Sequence, residues 1–267
     1  MVRLEKNNPA AIAFVENFIQ GQWQEDRYIN IGYDDIDKEA LRHFCREEQG
    51  DVCCYCCRDL SGERITLEHI VPRSCSELDS LRAYQEASPI LMRTVVLQNQ
   101  FARAEMVQVL PPFPHHIAYQ NIVAACAGRV SDLSGEITCC NPNRGNDFLL
   151  PFNVLHVDKQ VEYAPDGTVY VDNDTTWVDP INLNTGILKK IRRLWYKLAQ
   201  SGTLDWQAIE AAKTIEARDG LLLEHTLDED DLLSDRYEIQ TFRTDFFWEI
   251  FLKYKFFFSF FREQRVG

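Results

Sequence analysis

The positions of the cysteines constrain the fold of this chain more than any other feature of its sequence. Nine cysteines are spread over 267 residues, but four of them fall within the five residues Cys53–Cys57, which read CCYCC. A second group consists of Cys126 and the adjacent pair Cys139 and Cys140. Two thiolates separated by two residues bind one zinc ion from a tight turn, and two more complete its tetrahedral coordination. The pattern therefore predicts a structural zinc site that joins two segments of the chain.

The spacing favours one ligand set and leaves its register open. The four ligands that we favour are Cys53, Cys56, Cys126 and Cys140. Cys54 and Cys57 have the same spacing as the favoured first pair, and Cys139 is an alternative to its neighbour in the second group. Cys45 and Cys75 stand apart from both groups, and we interpret them as small apolar residues.

The charge of the chain limits the partners that it can hold. A formal net charge of −13 has the wrong sign for a protein that binds nucleic acid unaided, because phosphate contacts require Lys and Arg. The segment 51–150 is closest to neutral and all its basic residues are Arg, which predicts a small phosphate-facing surface on a body that otherwise repels phosphate. Since the start lacks a long apolar run and 246–261 is too short and too charged to span a bilayer, we expect a cytoplasmic protein without membrane attachment.

Hydrophobic periodicity divides the chain into three parts of an α+β protein. Helices are predicted at 9–20, 35–48 and 185–200, and the alternation over 154–178 around the turn PDGT predicts a β-hairpin. Residues 1–50 form an N-terminal helical segment. Residues 51–152 form a core that contains both cysteine groups and a helical insertion at 75–117. Residues 153–267 form a β-hairpin and a helical C-terminal region, which we expect to bind a partner.

Between the two cysteine groups the sequence predicts a strand, the insertion, a second strand and the start of a helix. The stretch RITLEHIVP predicts a strand that enters a turn at Pro72, and YQNIVAAC predicts the second strand. The stretch AGRVSDLSGEIT, which follows Cys126, is interpreted as a small loop. NPNRGNDFLLP then resembles the entry to a helix.

This order of parts resembles the HNH endonucleases of the ββα-metal superfamily. Their pattern is a Cys pair, an acid-His dyad on the first strand, an Asn near the second strand, a second Cys pair, and a His or Asn on the following helix. The resemblance runs from CCYC through LEHIVPRS and QNIVAAC to CCNPNRGN, over about 94 residues. It implies a ββα-metal core with structural zinc knuckles, embedded in additional helices, in which zinc replaces a hydrophobic core in a unit too small to have one.

Carried over residue by residue, the resemblance implies that His69 is the general base that activates a water for attack on a phosphodiester. It makes Glu68 and Asn146 the ligands of one catalytic Mg²⁺ or Mn²⁺. It also makes Asn121 the residue that ties down the loop or orients the histidine. Adjacent residues on a strand point to opposite faces, so Glu68 and His69 serve one site only if the strand bends there. Many members have Asp at the position of Glu68 and His at that of Asn146, which puts the metal preference in doubt.

Two arginines near these positions are candidates for contact with the substrate. Arg73 follows the predicted strand and Arg144 precedes the predicted metal ligand Asn146. A guanidinium group binds phosphate with two parallel hydrogen bonds. The expected substrate is nucleic acid, with DNA as the first choice.

The flanking segments resemble a narrower group, the nuclease subunits of Septu-type and retron-associated phage defence systems, usually called PtuB. This resemblance lies in the helix before the first Cys pair, the CxYC form and the stretch LNTGILKKIRR. It implies an effector that works with an ATPase of the ABC/SMC-like kind. Two other functions stay open: a stand-alone restriction-type HNH nuclease, and a zinc-binding module that binds nucleic acid or a partner without catalysis.

Three other features carry weaker hypotheses. His115 and His116 lie beside three prolines, and we interpret them as surface-loop residues. A basic run on the helix at 185–200 reads as a solvated face, with contact to DNA or an acidic partner as the alternative. The aromatic C-terminal segment is either core or a partner-binding helix, because such a run does not stay exposed in a monomer.

Overall fold

The computed structural model describes residues 4–25, 27–101, 111–132, 135–145, 161–202, 204–227 and 232–266. The helices of this part of the chain are α1 (Pro9–Gly21), α2 (Lys38–Gln49), α3 (Leu78–Ala87), α4 (Pro89–Thr94), α5 (Gln98–Phe101), α6 (Asn141–Arg144), α7 (Gly186–Gln200), α8 (Trp206–Ala211), α9 (Ile215–Thr226), α10 (Leu232–Phe242), α11 (Asp245–Leu252) and α12 (Phe256–Val266). The strands are β1 (Trp23–Gln24), β2 (Arg27–Tyr28), β3 (Thr66–His69), β4 (Val95–Val96), β5 (Phe113–Pro114), β6 (Ile122–Ala125), β7 (Arg129–Asp132), β8 (Gly135–Thr138), β9 (Val161–Tyr163) and β10 (Val169–Val171). Helices and short strands are thus mixed, as the sequence predicts.

Local sequence signals set the ends of the first two helices. The Asn8 side chain accepts two backbone hydrogen bonds at the start of α1, and Pro9 takes the first helical position. Asp37 caps α2 in the same way, and Gly50 ends it with a φ of +63°, a left-handed conformation that suits glycine. Both predicted helices are confirmed, with ends that shift by up to three residues.

The predicted strands on either side of the insertion form one antiparallel pair. Thr66 of β3 lies opposite Ala125 of β6, and His69 lies opposite Ile122. All four residues of β6 are buried, and α2 packs against this strand. The Gln49 side chain of α2 donates to one β6 carbonyl and accepts from the same residue's N–H. The N-terminal helices are therefore fixed to the strand pair that carries the Glu-His dyad.

The stretch AGRVSDLSGEIT is not the small loop that the sequence suggests. Its described residues form the antiparallel strands β7 and β8, in which Val130 lies opposite Ile137. Its alternation is weak because this is its one cross-strand pair of large apolar residues. Antiparallel pairing brings the chain after Cys126 back beside the chain before Cys139, so the two parts of the second cysteine group converge.

The insertion is helical in part, as expected, and contains a strand contact that the sequence does not predict. Its described residues form α3, α4 and α5, and β4 pairs with β5 in parallel. The remaining residues of the insertion, 102–110, lie outside the described part of the chain. Phe101 and Phe113 are both buried, so the insertion is packed into the fold on both sides of residues 102–110.

The C-terminal region is built around aromatic side chains. The predicted hairpin is present as β9 and β10, and α12 packs along α7. Trp195 of α7 stacks on Phe251 of α11 with ring centroids 4.1 Å apart and planes 7° from parallel. Both rings are fully buried, as are Phe257 and Phe261 of α12. The aromatic segment is therefore mainly core.

The basic run of α7 is used inside the chain. Arg192 is buried and donates hydrogen bonds to the carbonyl oxygens of Gly167 and Leu183. Arg193 pairs with the buried Asp235 of α10, as does Lys197 farther along the helix. Arg192 and Arg193 of the run are therefore not on the solvated face that the sequence favours, because their guanidinium groups bind buried acceptors.

The C-terminal region contacts the first cysteine segment directly. The Asp59 N–H donates to the Lys253 carbonyl at 2.6 Å, and the Lys253 ammonium pairs with Glu63. No helix in the described part of the chain is long and apolar enough to cross a lipid bilayer.

Candidate metal centre and candidate active site

Four buried cysteines from two segments converge on one point. They are Cys53, Cys56, Cys126 and Cys140, whose Sγ atoms all lie within 4.8 Å of one another. The Sγ–Sγ distances are 3.7 Å for Cys56 and Cys126, 3.8 Å for Cys126 and Cys140, and 3.9 Å for Cys53 and Cys140. Tetrahedral zinc with Zn–S bonds of about 2.3 Å requires sulfurs about 3.8 Å apart. These thiols are therefore close enough to hold a metal ion, in a geometry that suits structural zinc.

The same geometry selects among the registers that the sequence leaves open. Cys57 faces away from the cluster, with its Sγ 3.8 Å from the Tyr163 hydroxyl. Cys139 lies at the edge, its Sγ 3.6 Å from that of Cys140, but the four-sulfur set contains Cys140 and not Cys139. The favoured ligand set is thus the one that the fold brings together.

Tight backbone turns aim the thiols inward. The Cys53 N–H donates to the Arg58 carbonyl at 2.8 Å, and the Cys53 carbonyl accepts from the Cys57 N–H at 3.0 Å. Cys140 has a φ of +58° and donates its N–H to the Ile181 carbonyl. A left-handed conformation is costly for a residue with a side chain, and it persists where the surrounding structure enforces it.

Gly128 makes room for the second pair of sulfurs. Its φ is +67°, and a Cβ atom at this position would lie 2.3 Å from the Cys139 carbonyl oxygen and 2.5 Å from Pro142. The Cys139 N–H donates to the Gly128 carbonyl at 2.7 Å. Only glycine permits this approach of two chain segments.

A polar cavity of about 410 Å³ lies where β3 ends and α6 begins. Four of the predicted site residues line it: Glu68, His69, Arg73 and Arg144. Both members of the Glu-His dyad face this space, which we call the His69 cavity. Asn146 lies outside the described residues, so its position relative to the cavity stays a prediction.

The His69 ring is held in one orientation. Its Nε2 atom lies 2.9 Å from the His116 carbonyl oxygen. A carbonyl only accepts, so Nε2 carries the proton and Nδ1 keeps the lone pair. Burial lowers the His69 pKa to about 3, so the ring is neutral at physiological pH. This arrangement leaves one basic nitrogen on a fixed, neutral imidazole.

The Glu68 carboxyl group is held in an environment that disfavours its charge. Burial raises its pKa to about 7, against the opposing effects of the Thr66 hydroxyl and the Arg144 guanidinium. A bound cation would reverse this shift, because a positive charge favours the carboxylate. At neutral pH the carboxyl group is therefore divided between its neutral and its charged form.

Asn121 does not line the cavity but holds its frame. Its Oδ1 accepts from the Val71 N–H at 2.7 Å, and its Nδ2 donates to the carbonyls of Val71 and His115 at 3.0 and 2.7 Å. The residue is fully buried. It ties the segment after β3 to the loop whose His116 carbonyl orients His69.

His115 and His116 are not surface-loop residues as the prolines suggest. Only 2% and 3% of their surfaces are exposed. The His115 N–H pairs with the Val96 carbonyl, and His116 Nε2 lies 2.7 Å from the Ile31 carbonyl. Burial lowers the pKa of both rings, that of His116 to about 4. The surface-loop prediction is wrong because the turn that follows the three prolines is packed into the interior of the fold.

The two arginines differ in what they contact. Arg144 is buried and donates to the carbonyls of His69 and Ile70 at 2.9 and 2.8 Å, so it fixes the backbone at the end of β3. Arg73 is exposed, and its guanidinium carbon lies 4.7 Å from the centroid of the Tyr33 ring. Of the two, Arg73 has the position suited to a phosphate contact.

Two residues that line the cavity are not among the site residues predicted from the sequence. Tyr33 meets His69 edge to face, with centroids 4.8 Å apart, and Asn141 lines the cavity from the start of α6. Tyr33 lies in an irregular segment without periodicity, so no local signal identifies it. Asn141 lies beside a cysteine ligand, and this proximity to Cys140 is the signal that would have found it.

Comparison with known proteins adds no relative: no protein-family model, no curated protein and no solved structure matches this chain.

Proposed function

We propose that this protein is a metal-dependent HNH endonuclease that hydrolyses phosphodiester bonds of nucleic acid, with DNA as the first candidate. The observation that carries the proposal is the hydrogen bond from His69 Nε2 to the His116 carbonyl, which leaves Nδ1 as a base in a polar cavity. In this proposal β3, β6 and α6 are the two strands and the helix of a ββα-metal core.

The proposed step is an attack of water on the scissile phosphorus. Nδ1 of His69 accepts a proton from the water, the new P–O bond forms, and the bond to the leaving oxygen breaks, after which that oxygen takes a proton from solvent. An anionic phosphate beside the ring raises the pKa of the imidazole from its low value in the free protein, so the base becomes stronger when substrate is bound. Arg73 contacts a phosphate oxygen from the rim.

The donor set of the cavity fits a hard divalent cation in part. Glu68 supplies a buried carboxylate, and Asn146, carried over from the family resemblance, supplies a second oxygen from outside the described residues. A cation at this position supplies charge stabilisation for the phosphate and the leaving oxygen. Asn121 and Arg144 act as positioning residues, because they bind the backbone around the dyad.

The proposed assembly is an effector complex of antiphage defence, with an ABC/SMC-like ATPase as partner in the cytoplasm. The net charge of −13 supports a partner, because it opposes unaided binding to DNA. Co-purification from cells that express this chain with a neighbouring ATPase gene tests this part. Strong DNA cutting by the chain alone, with no retained ATPase, contradicts it and supports a stand-alone nuclease.

The catalytic proposal is tested by cleavage of a panel of double-stranded DNA, single-stranded DNA and tRNA, with and without Mg²⁺, by the chain together with any co-expressed ATPase that it retains on purification. We expect the wild type to cut at least one substrate in Mg²⁺, and His69→Ala to lose at least a hundredfold in rate. His225→Ala is the matched control, since this histidine lies on α9 and does not line the cavity. Equal cutting by wild type and His69→Ala, or no cutting of any substrate, contradicts the proposal.

A further inference from the structure

Three cations are aligned along α2 at a spacing of four residues. Lys38, Arg42 and Arg46 fall on one face of the helix, because residues four apart lie above one another. We propose that these three residues, the α2 basic stripe, together with Arg64, bind the phosphates of a nucleic-acid strand that continues from the His69 cavity. The inference rests on the proposed function and names a second contact with its substrate.

The stripe begins at the candidate active site. The Lys38 ammonium lies 4.8 Å from the centroid of the Tyr33 ring, and Tyr33 lines the His69 cavity. Arg42 follows Lys38 by one turn on the same face of α2. The cation side of α2 is therefore continuous with the cavity where the phosphodiester would be cut.

The stripe ends in a second cavity, of about 440 Å³, between α2 and the segment before β3. Arg42, Arg46 and Arg64 line it, together with Glu39 and Glu63. Arg64 has no ion-pair partner among the described residues. The Arg42 Nε atom is enclosed and meets no acceptor within the same part of the chain. The cavity thus offers donors that its own walls leave unused.

The acidic residues of this cavity do not cancel its positive charge. Glu63 accepts from Arg58 and also pairs with Lys253, neither of which lines the cavity. Glu39 pairs with Arg42 on the outer surface of α2. Of the three guanidinium groups, Arg42 pairs with Glu39 and Arg46 with Asp51, which does not line the cavity, so the charge of Arg64 is not matched by an ion pair among the described residues.

Each cation of the stripe is paired with an exposed acid that phosphate can replace. Lys38 pairs with Asp34, Arg42 with Glu39 and Arg46 with Asp51. The acid side chains are 83%, 81% and 51% exposed, so these pairs contribute little to stability. A phosphate binds a guanidinium with two hydrogen bonds, and this binding releases the counterions that surround the nucleic-acid strand.

The distance suits one continuous strand. Arg64 and His69 are five residues apart, at most roughly 17 Å along an extended chain. Duplex DNA rises about 3.4 Å per nucleotide of each strand, so five nucleotides cover this distance. A protein partner with an acidic surface is the alternative occupant, but the continuity with the His69 cavity favours nucleic acid.

The test is equilibrium binding of a fluorescent 30-base-pair DNA duplex and of its single strand by the chain together with any co-expressed ATPase that it retains, with His69→Ala as the parent so that the probe stays intact. We expect Arg42→Ala with Arg46→Ala to weaken binding at least tenfold and to reduce the slope of log K against log salt by about two. We expect Asp34→Asn, Glu39→Gln and Asp51→Asn together to tighten binding several-fold. Weaker binding by the arginine variant together with tighter binding by the acid variant is the result expected for phosphate binding. The acid variant still tests the proposal if the arginine variant does not fold.

The matched controls are Arg82→Ala and Asp79→Asn. They break an exposed pair of the same kind on α3, which lines neither cavity, and we expect binding within twofold of the parent. The inference is overturned if neither DNA form binds, if the charge variants behave like these controls, or if the arginine variant binds DNA normally and loses a co-purifying protein. Failure of the proposed function is read separately, as absence of His69-dependent cutting by the wild type.

Discussion

The cysteine-rich region and the aromatic C-terminal region are held together by different means. In the first, four sulfurs from two segments meet at one point, and the strands next to them are only four residues long. In the second, stacked and buried aromatic rings from α7, α11 and α12 together stabilise the packing. The first arrangement depends on a few atoms with strict geometry, whereas the second distributes apolar burial over many side chains.

The difference teaches where each region tolerates change. A metal cluster fails as a unit when one ligand is lost, because the remaining thiolates no longer close the coordination sphere. An aromatic core loses stability in proportion to the surface and contacts removed. Since the His69 cavity is built on the cysteine-rich region, we expect its geometry to be lost when any one of the four sulfurs is removed.

The largest effect is expected from removal of one sulfur. Cys140→Ser removes a ligand of the cluster, and we expect loss of bound zinc and unfolding of the strands around the site, on the order of 10 kcal/mol. Cys139→Ser is the matched control, because it changes the adjacent buried thiol. Elemental analysis and amide hydrogen exchange measure both effects. Equal zinc loss in the two variants, or a wild type without zinc, breaks the comparison.

The next effect tests whether the aromatic region fails gradually. Trp195→Ala removes a buried ring that stacks on Phe251 and donates to its carbonyl, and we expect a loss of about 4 kcal/mol in the free energy of unfolding. Phe246→Ala, at a ring that is 55% exposed, is expected to change it by less than about 0.5 kcal/mol. Denaturant titration gives both values, and zinc content is expected to stay at the wild-type level. Loss of zinc from the Trp195 variant would show that the two regions are not separable.

A smaller effect is expected inside the cysteine-rich region itself. Asn121→Ala leaves the Val71 N–H and the carbonyls of Val71 and His115 without their partner, which costs about 3 kcal/mol. We expect zinc to be retained and cleavage to fall at least tenfold, since the loop that orients His69 is released. The measurement combines denaturant titration with single-turnover cleavage. Unchanged cleavage at reduced stability would restrict Asn121 to a purely structural role.

The smallest effect concerns acid. Burial lowers the His116 pKa to about 4, below the roughly 6.5 of an unfolded histidine, so the unfolded chain binds more protons between these values. Stability contributed by the neutral ring is complete above pH 6.5 and falls as the pH drops, by about 1 kcal/mol between pH 7.5 and 5.5. His116→Gln is expected to reduce the pH dependence of stability by about this amount, while His69 and His115, whose pKa values burial also lowers, keep the remainder; His225→Gln is the control that leaves the dependence unchanged. Parallel pH profiles for all three proteins would contradict the assignment.

The sequence predicts the cysteine cluster because metal-ligand chemistry has a recognisable local spacing. Cys53 and Cys56 lie in one tight turn, and the strand pair that follows them is predicted from RITLEHIVP, which enters a turn at Pro72, and from YQNIVAAC. The register stays open at this level, since Cys54 and Cys57 have the same separation. Only the fold decides it, through contacts such as that of Cys57 with Tyr163.

Burial and long-range contacts are what the sequence does not reveal. His116 looks like a loop residue beside prolines, yet it lies beneath the site because its ring meets the Ile31 carbonyl, 85 residues away in sequence. Tyr33 reaches the cavity from a segment with no periodicity. The basic run of α7 looks solvated, and its Arg192 is buried because it satisfies carbonyls of a distant turn.

The short helix α6 follows Cys140 of the four-sulfur cluster and ends at Arg144, whose guanidinium donates to the His69 carbonyl. One helical turn therefore connects the Cys140 thiolate, which would bind a soft ion such as zinc, to the backbone beside Glu68, whose carboxylate would bind a hard ion such as magnesium. If the chain is a nuclease, its supply of the two metals is ordered: the site for magnesium exists only in molecules that have already acquired zinc. Zinc starvation would then silence such an enzyme even where magnesium is abundant.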